Sequence, residues 1–179
     1  MMPHEAYWLI VDTVRVEDAE IKVRKAFNIK NSIPLFKGCQ FEHLLPQSPL
    51  VIEIGAQERV LATWQSLSLL NINSVMFKVS ETVHQHEWLS HLQKLLIVTA
   101  DGHKMLFRYY TNSIWLDMKQ REETLVSQDI ATLLGPASSL FWLDNAQQQH
   151  AIRQTLLPDY VKTSSAHYTF ISPYFQQWI

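Results

Sequence analysis

The sequence predicts an α/β fold: a single layered domain in which a mixed β-sheet with an antiparallel hairpin carries helices packed on it. Three observations predict it. Short apolar runs rich in branched and aromatic residues alternate with stretches of helical spacing as far as residue 95. An Asp-Gly pair at 101–102 stands between two further apolar runs. Finally, 179 residues with 47% hydrophobic and 18% charged content suit one buried core.

The elements follow in order. "YWLIVD" (7–12) is compact and apolar, as a buried strand is, and "RVEDAEIKVRKAFN" spaces Val16, Ala19, Val23, Ala26 and Phe27 as one helix face. Three prolines and a glycine in 31–49 predict a long irregular connection. "LVIEI" (50–54) is a second strand; 56–70 is a helix burying Val60, Leu61, Trp64, Leu67 and Leu70; "SVMFKVS" (74–80) alternates as a third strand. Thr82 and Gln85 have capping-box spacing ahead of a helix carrying Trp88, Leu89, Leu92 and Leu95.

"LLIVT" and "KMLFRYY" then flank "ADGH", a hairpin that should join the sheet. Asn112 or Ser113 can cap a helix over "IWLDMKQREE", and Ser127 one over "QDIATLL" that Gly135 and Pro136 stop. "SSLFWLD" (138–144) reads as the last strand, "NAQQQHAIRQTLLP" as a helix up to Pro158, and the tail from Ala166 is aromatic without a period.

Composition narrows the function. Fifteen basic and 17 acidic residues are mixed along the chain for a net charge of −2, so no nucleic-acid or anionic-membrane partner is expected. One cysteine, Cys39, allows neither an internal disulfide nor a multi-cysteine metal site. The opening "MMPHEAYWLIVD" lacks the basic start of a secretory signal, and no apolar run reaches membrane-spanning length, so a cytoplasmic protein is expected.

Catalytic patterns are missing. His84, His86 and His91 do not share one helix stripe and are expected on a solvated face, with no metal. No serine sits in a glycine-flanked elbow, the four glycines form no phosphate cradle, and Glu17-Asp18 and Glu122-Glu123 lie in polar helical stretches. The residues favour a non-enzymatic binding protein, against a small hydrolase using those histidines.

The succession "YWLIVD", "PLFKG", "LLPQSPLVIEI", "VSETVHQHEWLSHLQKLLIV", "DGHKMLFRYYTNSIWLDM" and "LLGP" resembles the family of small type VI secretion effector adaptors, or Tap/TEC-type effector chaperones, over about residues 7 to 136. That family's hallmark, an "lfRfyDp" strand after an aspartate-glycine turn and a later "Gp" stop, corresponds here to Asp101, Gly102, Leu106, Phe107, Arg108, Tyr109, Tyr110, Gly135 and Pro136. Thr111-Asn112 replaces the usual Asp-Pro. The resemblance implies a non-catalytic bacterial adaptor, without a cofactor, that binds one cognate effector and helps load it onto the VgrG-type spike protein; the alternative is an immunity-like toxin binder that blocks the toxin instead of escorting it.

On this reading residues 1–144 form the adaptor domain, and 145–179 a C-terminal helix and aromatic tail packed on it. Candidate effector contacts are Leu35 and Phe36 in the long loop, and Tyr168, Phe170, Tyr174, Phe175 and Trp178 in the tail, because aromatics anchor interfaces well. The alternative for each is the core. Arg108 falls within an aromatic strand and so needs a carboxylate, a carbonyl or an aromatic face, either as a structural tie or as a partner contact.

Overall fold

The computed structural model describes residues 4–55, 57–120, 125–155 and 168–178. Nine strands and five α-helices follow one another as β1 (Glu5–Val11), α1 (Ala19–Ala26), β2 (Asn31–Pro34), β3 (Leu50–Gly55), α2 (Val60–Gln65), β4 (Ser74–Ser80), α3 (Gln85–Lys94), β5 (Ile97–Ala100), β6 (His103–Leu106), α4 (Leu116–Gln120), α5 (Ser127–Leu134), β7 (Ala137–Leu143), β8 (Gln149–Arg153) and β9 (Tyr168–Phe170). The α/β class is as the alternation predicts.

Six strands, in the order β2-β3-β1-β4-β7-β8, form one sheet in which every pair is antiparallel. Strict alternation covers both of its faces. Trp8, Ile10, Val51, Val75, Phe77, Leu140 and Trp142 point into one core; Leu9, Val11, Ile52, Ile54, Met76, Phe141 and Leu143 point into the other. The second core is closed by α1 and α2, through Ala19, Val23, Val60 and Trp64. The first is closed by α3, α5 and a small sheet of order β6-β5-β9, whose β5–β9 pair is the parallel one.

Four expectations change. The hairpin forms with both turn residues at positive φ, 48° at Asp101 and 76° at Gly102, but it builds the second sheet instead of extending the first. The loop after α1 begins with a strand, β2, whose Pro34 is tolerated because β2 is an edge. The stretch read as a helix from residue 145 contains β8, which adds to β7 and closes the other edge of the large sheet. Its Ile152 is buried while its neighbours are exposed, a period of two that the glutamines masked. The second helix is short, ending at Gln65, and the chain continues through turns that still bury Leu70.

The predicted caps do not form. His84 stands at the N-cap of α3 and Val126 at that of α5, neither bonding through its side chain, while Gln85 accepts from Asn31 Nδ2 at 3.0 Å. Among the described residues no helix is long and apolar enough to cross a membrane.

Candidate functional site: a groove beside α3 and the ties that frame it

The segments singled out in the sequence are bonded to one another. Asp12, at the end of β1, is 2% exposed and receives Arg108 Nη2 at 3.2 Å; Arg108 itself is 43% exposed and lies over the Tyr110 ring at 5.8 Å. The Val14 amide satisfies the other carboxylate oxygen, and Arg15 Nε stands 3.7 Å away. The strand ends at Leu106, and beyond it Phe107, Tyr109 and Tyr110 all enter the core, where the Tyr109 hydroxyl donates to Leu92 O, while Arg108 lies over the Tyr110 ring and reaches Asp12.

The other ties are polar as well. Gln93 of α3 donates to the carbonyls of Leu35 and Lys37, and the Phe36 amide donates to Ser48 Oγ. Asn112, standing where the family pattern has its Asp-Pro, donates to Leu143 O and Asn145 Oδ1 instead of capping a helix.

A groove of about 510 Å³ runs along α3. Ser80, Thr82, His86, Glu87, Ser90 and Lys94 give it a polar rim, above Val83, Pro136 and Tyr168. His91 lies beneath, buried and stacked on Trp88, which corrects its expected place on a solvated face. Its Nε2 bonds to Leu133 O at 2.9 Å and its Nδ1 to the Tyr168 hydroxyl at 2.8 Å. A carbonyl only accepts, so Nε2 carries the proton and Nδ1 accepts from tyrosine. Burial is the main cause that pushes the His91 pKa down to about 4, with Lys94 adding to it, and burial raises that of Tyr168 to about 12. His84 and His86 stack on each other outside, 5.8 Å apart, and among the described residues no cluster of His, Cys, Asp and Glu is placed to hold a metal.

The tail closes the site from below. Asp129, in the first turn of α5 and fully buried, accepts the Ile171 amide through both oxygens, at 3.0 and 3.1 Å, and the Ser172 amide at 2.6 Å. Ser172 Oγ accepts the Val126 amide. Phe170 and Phe175 stack at 4.1 Å inside the core, and the Tyr174 hydroxyl donates to Ile114 O. Of the candidate contacts, then, Leu35, Phe36, Phe170, Tyr174 and Phe175 are core residues, which corrects their placement at an interface. Tyr168 is half-buried in the groove, and the Trp178 side chain lies outside the described residues.

The chain matches the model of a domain of unknown function, DUF4123, over residues 7–124, about two-thirds of its length. It belongs to the DUF4123 family. No curated protein and no solved structure shows significant similarity to it.

In this DUF4123 domain the Arg108–Asp12 pair lies wholly inside the matched region, so the pair joins the two ends of the family segment. The match stops at 124, short of the 136 expected, leaving Gly135, Pro136 and the tail beyond it. Asp12 and Asp129 were invisible as partners in the sequence, although each is an acid beside an apolar run, the one signal that could have marked them.

Two outcomes follow from these geometries. Arg108→Ala should cost about 1–2 kcal/mol in urea unfolding, less than a fully buried pair because Arg108 is half-exposed and Arg15 is near. Combining it with Asp12→Asn should add little, whereas two full, additive losses would deny the tie. Stability should also fall with acid. Between pH 6.5 and about 4 the unfolded chain binds a proton that folded His91 excludes, so stability present above 6.5 drains away on the way down. At about 1.4 kcal/mol per pKa unit the loss is about 3–4 kcal/mol. His91→Gln should flatten that part of the stability–pH curve.

Proposed function

We propose that this chain is a non-catalytic, cytoplasmic adaptor that binds a toxin effector of the type VI secretion system and helps load it onto a VgrG-type spike. The observation that carries this reading is membership of the DUF4123 family across 7–124, a span that holds every segment of the resemblance to effector adaptors except the "LLGP" stop. The structure supports it in a second way. Those segments are spent on holding one another, Asp12 to Arg108 and Leu35 to Gln93, so the family pattern describes a rigid presenting frame. The α3 groove, polar at its rim and apolar beneath, suits a peptide segment of the effector.

One observation favours a hydrolase instead: His86 and His91 both line the groove, beside Ser90. Against it, both His91 ring nitrogens are committed to Leu133 and Tyr168. An immunity protein is the other rival, and co-expression with the cognate toxin separates all three. An adaptor raises the amount of soluble toxin, leaves it toxic, and is required for delivery to target cells. Abolished toxicity would make the chain an immunity protein, and no effect on solubility or delivery would end the adaptor reading.

A further inference from the structure

On the opposite layer of the large sheet, α1 and the turns after α2 enclose a second groove of about 490 Å³. Its floor is apolar, made by Ala26, Leu67 and Leu70; Ser66 and Ser68 form one wall, and Lys22 and Lys25 the other. The lysines are three apart in α1 and so project on one side of the helix. Among the described residues neither is in an ion pair: Glu20 is held by Arg24 at 2.8 Å, and Asp18, at the N-cap four residues before Lys22, is within ion-pair distance of neither lysine. At the rim Leu69 is held at a φ of 68°, its carbonyl bonded by Asn73 Nδ2, and half of its side chain faces water. Ile21, beside Lys22, is 54% exposed.

Two unpaired cations over an apolar floor specify the occupant. A free anion would leave the half-exposed Leu69 and the partly buried Leu67 uncovered, and a nucleic acid would need a far longer basic track. An acidic peptide bearing leucine-sized side chains satisfies both the charge and the floor. We propose that the α1–α2 groove docks such a segment. The inference rests on charge and shape alone and does not depend on the adaptor reading. The central sheet separates this groove from the one along α3, so the two can be filled at once.

Fluorescence anisotropy with the full chain tests it. The probes are short fluorescein-labelled peptides alternating glutamate with leucine, lysine with leucine, and glutamate with serine. The glutamate–leucine peptide should bind best, more weakly as salt rises, and about tenfold more weakly to the Lys22→Glu/Lys25→Glu double variant. Lys104→Glu, exposed on β6 in the other layer, should leave binding unchanged. Equal binding by the double variant, an equal loss in Lys104→Glu, equal binding of the lysine–leucine or glutamate–serine peptide, or no binding by the wild type would each overturn the proposal. Circular dichroism confirms that the exposed-site variants are folded.

Discussion

Asp129→Ala should lose about 4 kcal/mol of stability, the scale expected when a buried, hydrogen-bonded carboxylate is removed and its partners are left unpaired. The side chain is fully buried in the first turn of α5 and takes the amides of Ile171 and Ser172. Without it, the part-buried amide of Ile171 and the buried amide of Ser172 lose their acceptor, and β9, bound by only three residue pairs to β5, loses its anchor. The expected readout is a large fall in the urea midpoint together with faster amide exchange at Phe170, Ile171 and Ser172. Asp129→Asn, which keeps one carbonyl acceptor, should lose roughly half as much. An alanine variant as stable as wild type would show that Phe170, Tyr174 and Phe175 hold the tail by packing alone.

The second large effect is at Gly135. This residue ends α5 at a φ of 54° and ψ of −122°, a conformation that suits glycine, and a Cβ added there would lie 2.5 Å from His91 ring atoms. The ring cannot swing aside without breaking its bonds to Leu133 and Tyr168. Gly135→Ala should therefore cost about 3–4 kcal/mol, roughly 1 for the backbone and the rest for the clash. Thermal unfolding measures it, and His91→Ala supplies the control. In the His91→Ala background the added methyl should cost only about 1 kcal/mol, because the clash is gone. A full and additive cost there would place the strain in the backbone alone.

These two positions explain what the sequence could and could not reveal. Strands β1, β3, β4 and β7 were legible because each is buried on both faces and must be apolar, and the Asp-Gly hairpin because its turn demands positive φ at two adjacent residues. Strand β8 was not, since an edge strand with one buried isoleucine among glutamine, histidine and arginine has as much polar surface as a helix. Leu35, Phe36 and the tail aromatics are equally ambiguous in sequence: a large apolar side chain suits an interface and a core alike, and distant contacts decide for the core, Pro49, Ser48 and Gln93 for the loop and the pairing of β9 with β5 for the tail. The spacing of His84, His86 and His91 rules out a shared metal stripe, but it does not reveal which of the three rings is buried. The burial of His91 depends on Gly135, 44 positions later, having no side chain.

The same geometry bears on how binding is to be mapped. Cutting away residues 165–179 would remove Phe170, Tyr174 and Phe175 from the core, so a lost interaction would report unfolding and not an interface. Point changes on exposed groove residues such as His86, Ser90 and Lys94 leave the core intact and are the better probes.

The proposal that this DUF4123 chain escorts an effector to its spike is tested most directly by affinity capture of the tagged protein from the cells that make it. The account predicts that one toxin-bearing protein and a VgrG-type spike are recovered and identified by mass spectrometry, and that Lys94→Glu in the α3 groove depletes one of them while leaving the protein folded. Recovery of neither, from a bait shown to be folded and in a culture shown to be making the secretion apparatus, would contradict it.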